Sequence, residues 1–185
     1  MDGTFFITTT VSILLALGGY LFTWLNGRRT QQKRDQLERV NAQLEKLYGP
    51  LFALVQSSDI SWRAFRSQYQ PNSRFFSDNH PPSEDDLNAW RLWMRTVFMP
   101  INEQMYSIVL NNAHLLIEPE MPECLLILQA HVSSFKAVVQ AWEYKDYSAH
   151  ESQVHYPSKE LFDYVTKSYK KLKLHQAELI GLLDG

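Results

Sequence analysis

The chain has 185 residues, with 18 Lys+Arg against 20 Asp+Glu, a formal net charge of −2, and 45% hydrophobic residues. Those averages exclude a disordered chain, a low-complexity or collagen-like repeat and a polytopic membrane protein, and the near-neutral balance argues against nucleic acid as a partner. One cysteine, Cys124, excludes an intramolecular disulfide framework and a Cys-rich zinc module, and it fits a reducing compartment.

The charges are unevenly placed. Apart from Asp2, none occurs before Arg28, and residues 5–25 are dominated by Phe, Ile, Leu, Val, Ala and Gly. As a helix that segment rises about 31 Å, which matches the roughly 30 Å hydrocarbon core of a bilayer. Tyr20 and Trp24 stand toward its charged end, where amphipathic rings favour the interface. A cleaved signal peptide would need a positive n-region, and only Asp2 precedes the run. The segment therefore predicts a retained transmembrane anchor over 1–27. Arg28, Arg29, Lys33 and Arg34 follow it directly, so the positive-inside rule places the N-terminus outside and 28–185 in the cytoplasm. Thr8, Ser12, Ala16, Gly19, Thr23 and Gly27 form one ridge of small residues at helical spacing, suited to close packing against a second copy or another membrane protein.

After the basic flank, Leu37, Val40, Leu44, Leu47, Leu51 and Leu54 step by 3 and 4, a heptad seam extended by Trp62, Phe65 and Tyr69. It passes through Gly49-Pro50. Because the register survives the proline, the expectation is a kink and a candidate hinge within a helix over 28–69. A turn-rich loop occupies 70–83, and Ser83 followed by Glu84, Asp85 and Asp86 predicts a capped helix N-terminus. Leu87, Trp90, Met94, Val97, Ile101, Met105 and Ile108 form the stripe of a helix over 84–117, kinked at Pro100, with Arg91 and Arg95 on the opposite side.

Pro122 suits the first turn of a third helix, over 121–144. Its stripe is the most regular in the chain: Met121, Leu125, Leu128, Val132, Phe135, Val139 and Trp142. A polar, aromatic loop over 144–157 leads to Ser158, read as the cap of a last helix over 158–183 carrying Phe162, Val165, Tyr169, Leu172 and Leu179. The predicted fold is all-α: one transmembrane helix followed by a cytosolic antiparallel bundle of about four long helices with heptad packing. In that topology the 70–83 and 144–157 loops meet at the membrane-distal tip. Lys167, Lys170, Lys171 and Lys173 lie at the membrane side, where cations near anionic lipid gain about 1 kcal/mol each.

Motifs for chemistry are missing. There is no GxxxxGK[ST], GxGxxG or GxSxG, and no Glu precedes a His by three as a di-iron bundle requires. His150 and His155 are spaced five apart in a loop rather than four on a helix, so with His80 they form only a weak metal site candidate. Cys124 reads as a structural thiol, since Glu118, Glu120 and Glu123 oppose thiolate formation. His131 reads as a residue that faces solvent or pairs within the core. No cofactor is expected. The leading functional expectation is a non-enzymatic scaffold or accessory subunit at the cytoplasmic membrane face. The alternative is a membrane-tethered sensor switched by ligand or partner binding at the 70–83 and 144–157 loops.

Overall fold

The computed structural model describes residues 2–72 and 74–182, with side chains from Leu15 onward. Helix α1 (Asp2–Gln43) runs into a π-helical turn (Leu44–Tyr48) and then α2 (Gly49–Gln68). Helix α3 (Glu84–Trp93) runs through a second π-turn (Met94–Phe98) into α4 (Met99–Asn112), which ends in a 3₁₀ turn (Ala113–Leu115). Helices α5 (Glu123–Glu143) and α6 (Ser158–Gly181) complete an all-helical bundle without strands among the described residues. Two compact units divide the chain, one of Met1–Asn41 with Leu174–Gly185, the other of Ala42–Lys173.

In the first unit the end of α6 lies antiparallel to α1. Gln176 donates to Asn41 at 2.6 Å, Lys33 reaches the Leu182 carbonyl at 3.4 Å, and Val40 and Leu179 are buried. Every side chain described over 15–29 is exposed, and nothing approaches Gly18, Gly19 or Gly27. Arg28 stacks over the Trp24 ring at 4.6 Å. Thr23 bonds back to the Gly19 carbonyl at 2.9 Å. The side chains of Thr8 and Ser12 lie outside the described residues. By length and composition α5 is the one helix, among the described residues, long and apolar enough to cross a membrane. That measure does not support the expected N-terminal span. Yet α5 buries Leu125, Leu128, Val132, Phe135 and Trp142, so one of its faces is the core of the second unit.

Cross-helix pairs in the second unit set the topology. Gln43 at the end of α1 bonds the Leu115 carbonyl beyond α4 (2.9 Å), while Trp62 and Phe65 in α2 meet Phe98 at the start of α4, so these elements are antiparallel. Gln129 bonds the Tyr106 carbonyl and Lys136 pairs with Glu103, which sets α5 antiparallel to α4.

Both prolines that interrupt the expected helices sit two residues past the end of a π-turn. Pro50 and Pro100 lack an N–H, and each ring would press on the carbonyl four residues back. The π-turn removes the conflict by widening the helix. Gly49 N–H bonds the Leu44 carbonyl and Met99 N–H the Met94 carbonyl, each five residues back. The helix continues, and the inward face moves forward by one residue. Where the heptad predicts Leu54, Val97, Ile101 and Ile108, the buried residues are Val55, Phe98, Asn102 and Val109. Tyr48, Phe98 and Met99 also join the core. Trp62, expected on the apolar face, is 38% exposed. In α5, which has no internal proline, the buried residues follow the expected stripe.

Local starts and stops follow backbone chemistry. Ser83 caps α3 through a reciprocal capping box with Asp86. Pro122 is the N-cap of α5 rather than its first helical residue, and the Pro157 carbonyl accepts the Leu161 N–H, so Ser158 is the first residue of α6 rather than its cap. Helix α5 ends in a Schellman motif, with Asp146 N–H on Ala141 and Lys145 N–H on Trp142. Lys145 takes the left-handed conformation there, at φ 61°.

Candidate functional site

The second unit forms a half-open cavity of about 280 Å³ beside the 144–157 segment. Its apolar walls come from Trp62 of α2, Trp90 of α3, Met94 and Phe98 of the π-turn, Phe135 of α5 and Phe162 of α6. Asn102 of α4 is 4% exposed and lines the cavity, and its side-chain oxygen has no hydrogen-bond partner. An unpaired buried amide oxygen costs on the order of 1–3 kcal/mol. The π-turn is what brings this polar side chain inward, since a continuous α-helix would present Ile101.

His131 of α5 faces the same cavity. Its Nδ1 lies 2.6 Å from the Val154 carbonyl oxygen. A carbonyl only accepts, so Nδ1 carries the proton. Burial holds the ring below its ordinary pKa, with His155 acting in the same direction, while the Val154 bond opposes both. The neutral ring therefore keeps a lone pair on Nε2. Tyr156 is hydrogen-bonded to Ser58, and burial pushes its hydroxyl up to about 12, so it stays neutral. Asp59 and Glu151 add carboxylates to the lining, Asp59 also pairing with Arg63 at 2.8 Å, and no Lys or Arg lines the cavity among the described residues.

The 144–157 segment borders this space as a strap held by side-chain donors on the helices. Trp90 donates to the His150 carbonyl at 2.9 Å, Trp142 to Ala149 at 2.8 Å, and His131 to Val154. Arg91 is buried rather than facing away from the core. Its Nη2 bonds Glu84 at 2.6 Å and Asn88 at 2.7 Å, and its guanidinium lies 4.3 Å from the centre of the Tyr147 ring. Phe75 and Phe76 of the 70–83 loop pack on Trp90 at 5.7 and 5.4 Å. The two loops thus converge on Trp90, and Phe76 joins Glu151, Ser152, Val154, His155 and Tyr156 in lining the cavity.

The histidines proposed from sequence are dispersed. His80 is exposed at an isolated bridge with Ser77, His155 lines the cavity rim, and His150 has its Nδ1 buried without a partner. Among the described residues no three His, Cys, Asp or Glu side chains gather so as to hold a metal ion. Cys124 is buried, which raises its thiol pKa. The basic residues Arg28, Arg29 and Arg34 are exposed, with Lys33 less so. Gly49 is needed where it stands, because a Cβ there would press on the Leu44 carbonyl oxygen.

A second polar cluster lies beside that glycine. The Ile117 N–H donates to the Tyr48 hydroxyl (3.1 Å), which bonds Tyr164 (2.9 Å), which donates to Glu118 (2.9 Å). Every donor in this chain meets an acceptor, which marks the cluster as a structural lock.

No protein-family model, curated protein or solved structure matches this chain.

Proposed function

We propose that the chain is a membrane-anchored helical module that binds a small molecule in the cavity beside the 144–157 strap. The observation that carries this reading is Asn102. A polar side chain turned inward by a π-turn lines a largely aromatic pocket, and a concave apolar site with a few polar groups is the usual form of a small-molecule site. Met94 lines the cavity and Met121 does not. With ¹³C-methyl methionine in the full chain held in detergent, titration with indole shifts the Met94 methyl resonance and leaves Met121 in place. An unmoved Met94 at saturating indole overturns the reading.

The anchor is residues 5–25. Its support is the absence of charge over 3–27, the exposure of the large apolar side chains described on every side of α1 before Arg28, and the cations that follow. The expected orientation is N-terminus outside, bundle in the cytoplasm. The full chain is expected to resist carbonate extraction from membranes, and removal of 1–27 to release it.

A second reading, an accessory subunit joined to a partner or to its own copy through the span, is favoured by the open face over Gly19 and Gly27. Gly19→Leu is then expected to weaken self-association or co-purification in mild detergent, and indifference to it removes this reading.

A further inference from the structure

We propose that the cavity selects an aromatic amine: a molecule with a flat apolar body and a protonated nitrogen that donates hydrogen bonds. This rests on the ligand-binding reading and adds the chemical class of the ligand.

The argument is one of complementarity. The charged and titratable groups of the lining favour a ligand that donates. His131 is left with a lone pair on Nε2, and Asp59 and Glu151 are the charged residues of the lining, Asp59 being paired with Arg63. An N–H donor satisfies the His131 nitrogen, and an anionic ligand would meet two acidic residues with no Lys or Arg in the lining. The walls supply the other half. Trp62, Trp90 and Phe98 lie with ring centroids about 6 Å apart, and Trp62 meets both of the others edge to face. Indole faces attract cations, more strongly once water is excluded.

Size agrees. A dry protein cavity of about 150 Å³ holds benzene. The 280 Å³ here suits a bicyclic ring bearing a short amine arm.

The test uses the full chain in detergent, the Met94 methyl resonance as the site reporter, and three probes on one ring system: tryptamine, indole and indole-3-acetate. The expected order is tryptamine tightest, indole weaker, indole-3-acetate without effect on Met94. The combined Asp59→Asn and Glu151→Gln variant, at positions that are not deeply buried, is expected to narrow the gap between tryptamine and indole-3-acetate while leaving indole unchanged. If indole-3-acetate moves Met94 at concentrations equal to tryptamine, the amine class is wrong and the ligand site stands. If none of the three moves Met94, the site itself is wrong.

Discussion

The indole N–H of Trp90 donates to the carbonyl of His150 at 2.9 Å, a bond that spans two elements sixty positions apart. Strap residues 149, 150 and 154 thus offer their carbonyls to Trp142, Trp90 and His131 in place of a backbone ladder. Trp90→Phe keeps most of the aromatic packing and removes the donor. The expected result is a loss of about 1 kcal/mol and faster amide hydrogen exchange over 148–156 than over α5. Equal exchange in variant and parent argues that the strap is held by packing alone.

Gly49→Ala reverses a familiar sign. In an ordinary helix interior this change stabilises by up to about 1 kcal/mol. Here the new methyl meets the Leu44 carbonyl, and backbone must move. Urea denaturation is expected to show a loss of about 1–3 kcal/mol, and a gain in stability would mean that the π-turn closes without cost.

Tyr48→Phe breaks the hydroxyl chain at its first link and leaves the Ile117 N–H without its acceptor. The expected loss is about 1–3 kcal/mol. Tyr164→Phe removes the donor to Glu118, which is only part-buried and regains water, so its loss is expected to be smaller.

Acidification should destabilise the second unit through His131. Burial depresses the folded-state pKa below the ordinary value of about 6.5, so the unfolded chain binds more protons than the folded one. The stabilising contribution is complete above about 6.5 and is lost as pH falls through that value toward the folded pKa. His150 shifts in the same direction, with burial the main cause and Arg91 adding to it against Glu84. The urea midpoint is therefore expected to drop between pH 7.5 and 5.5, and His131→Asn to flatten that slope without abolishing it.

Helix content and the order of elements were legible from spacing, capping residues and turn clusters, because each depends on near neighbours. Ser83 with three acidic residues behind it became the capping box, and the α5 stripe became the α5 core. The misread stripe positions of the first two predicted helices lie in or beyond a π-turn, and in α6 Leu161 and Ser168 are buried beside the expected Phe162 and Tyr169. At Pro50 and Pro100 a surviving heptad looked like a kink, whereas the backbone absorbs the missing N–H in a π-turn and shifts the face by one. That shift hid Asn102, which by period alone stands at the flank of the stripe between Ile101 and Met105.

The burial of Arg91 and the partner of His131 were hidden for another reason. Their partners, Tyr147 and Val154, belong to the strap, and no periodicity on one helix reveals what a distant loop lays across it. The paired pattern of a residue followed by proline inside two apolar stripes was the one available signal. Read as two possible π-turns, it would have offered both registers.

The turn at Met94–Phe98 makes the chemistry of the cavity floor depend on a count. Closing that turn to an ordinary α-helix at constant chain length leaves every lining side chain in the chain, yet it hands the inward position to Ile101 and turns Asn102 off the cavity. Polarity at the floor is in this sense a property of spacing: one residue deleted from the turn cancels the extra one it accommodates and keeps Asn102 inward, whereas the same length wound as an α-helix turns it aside.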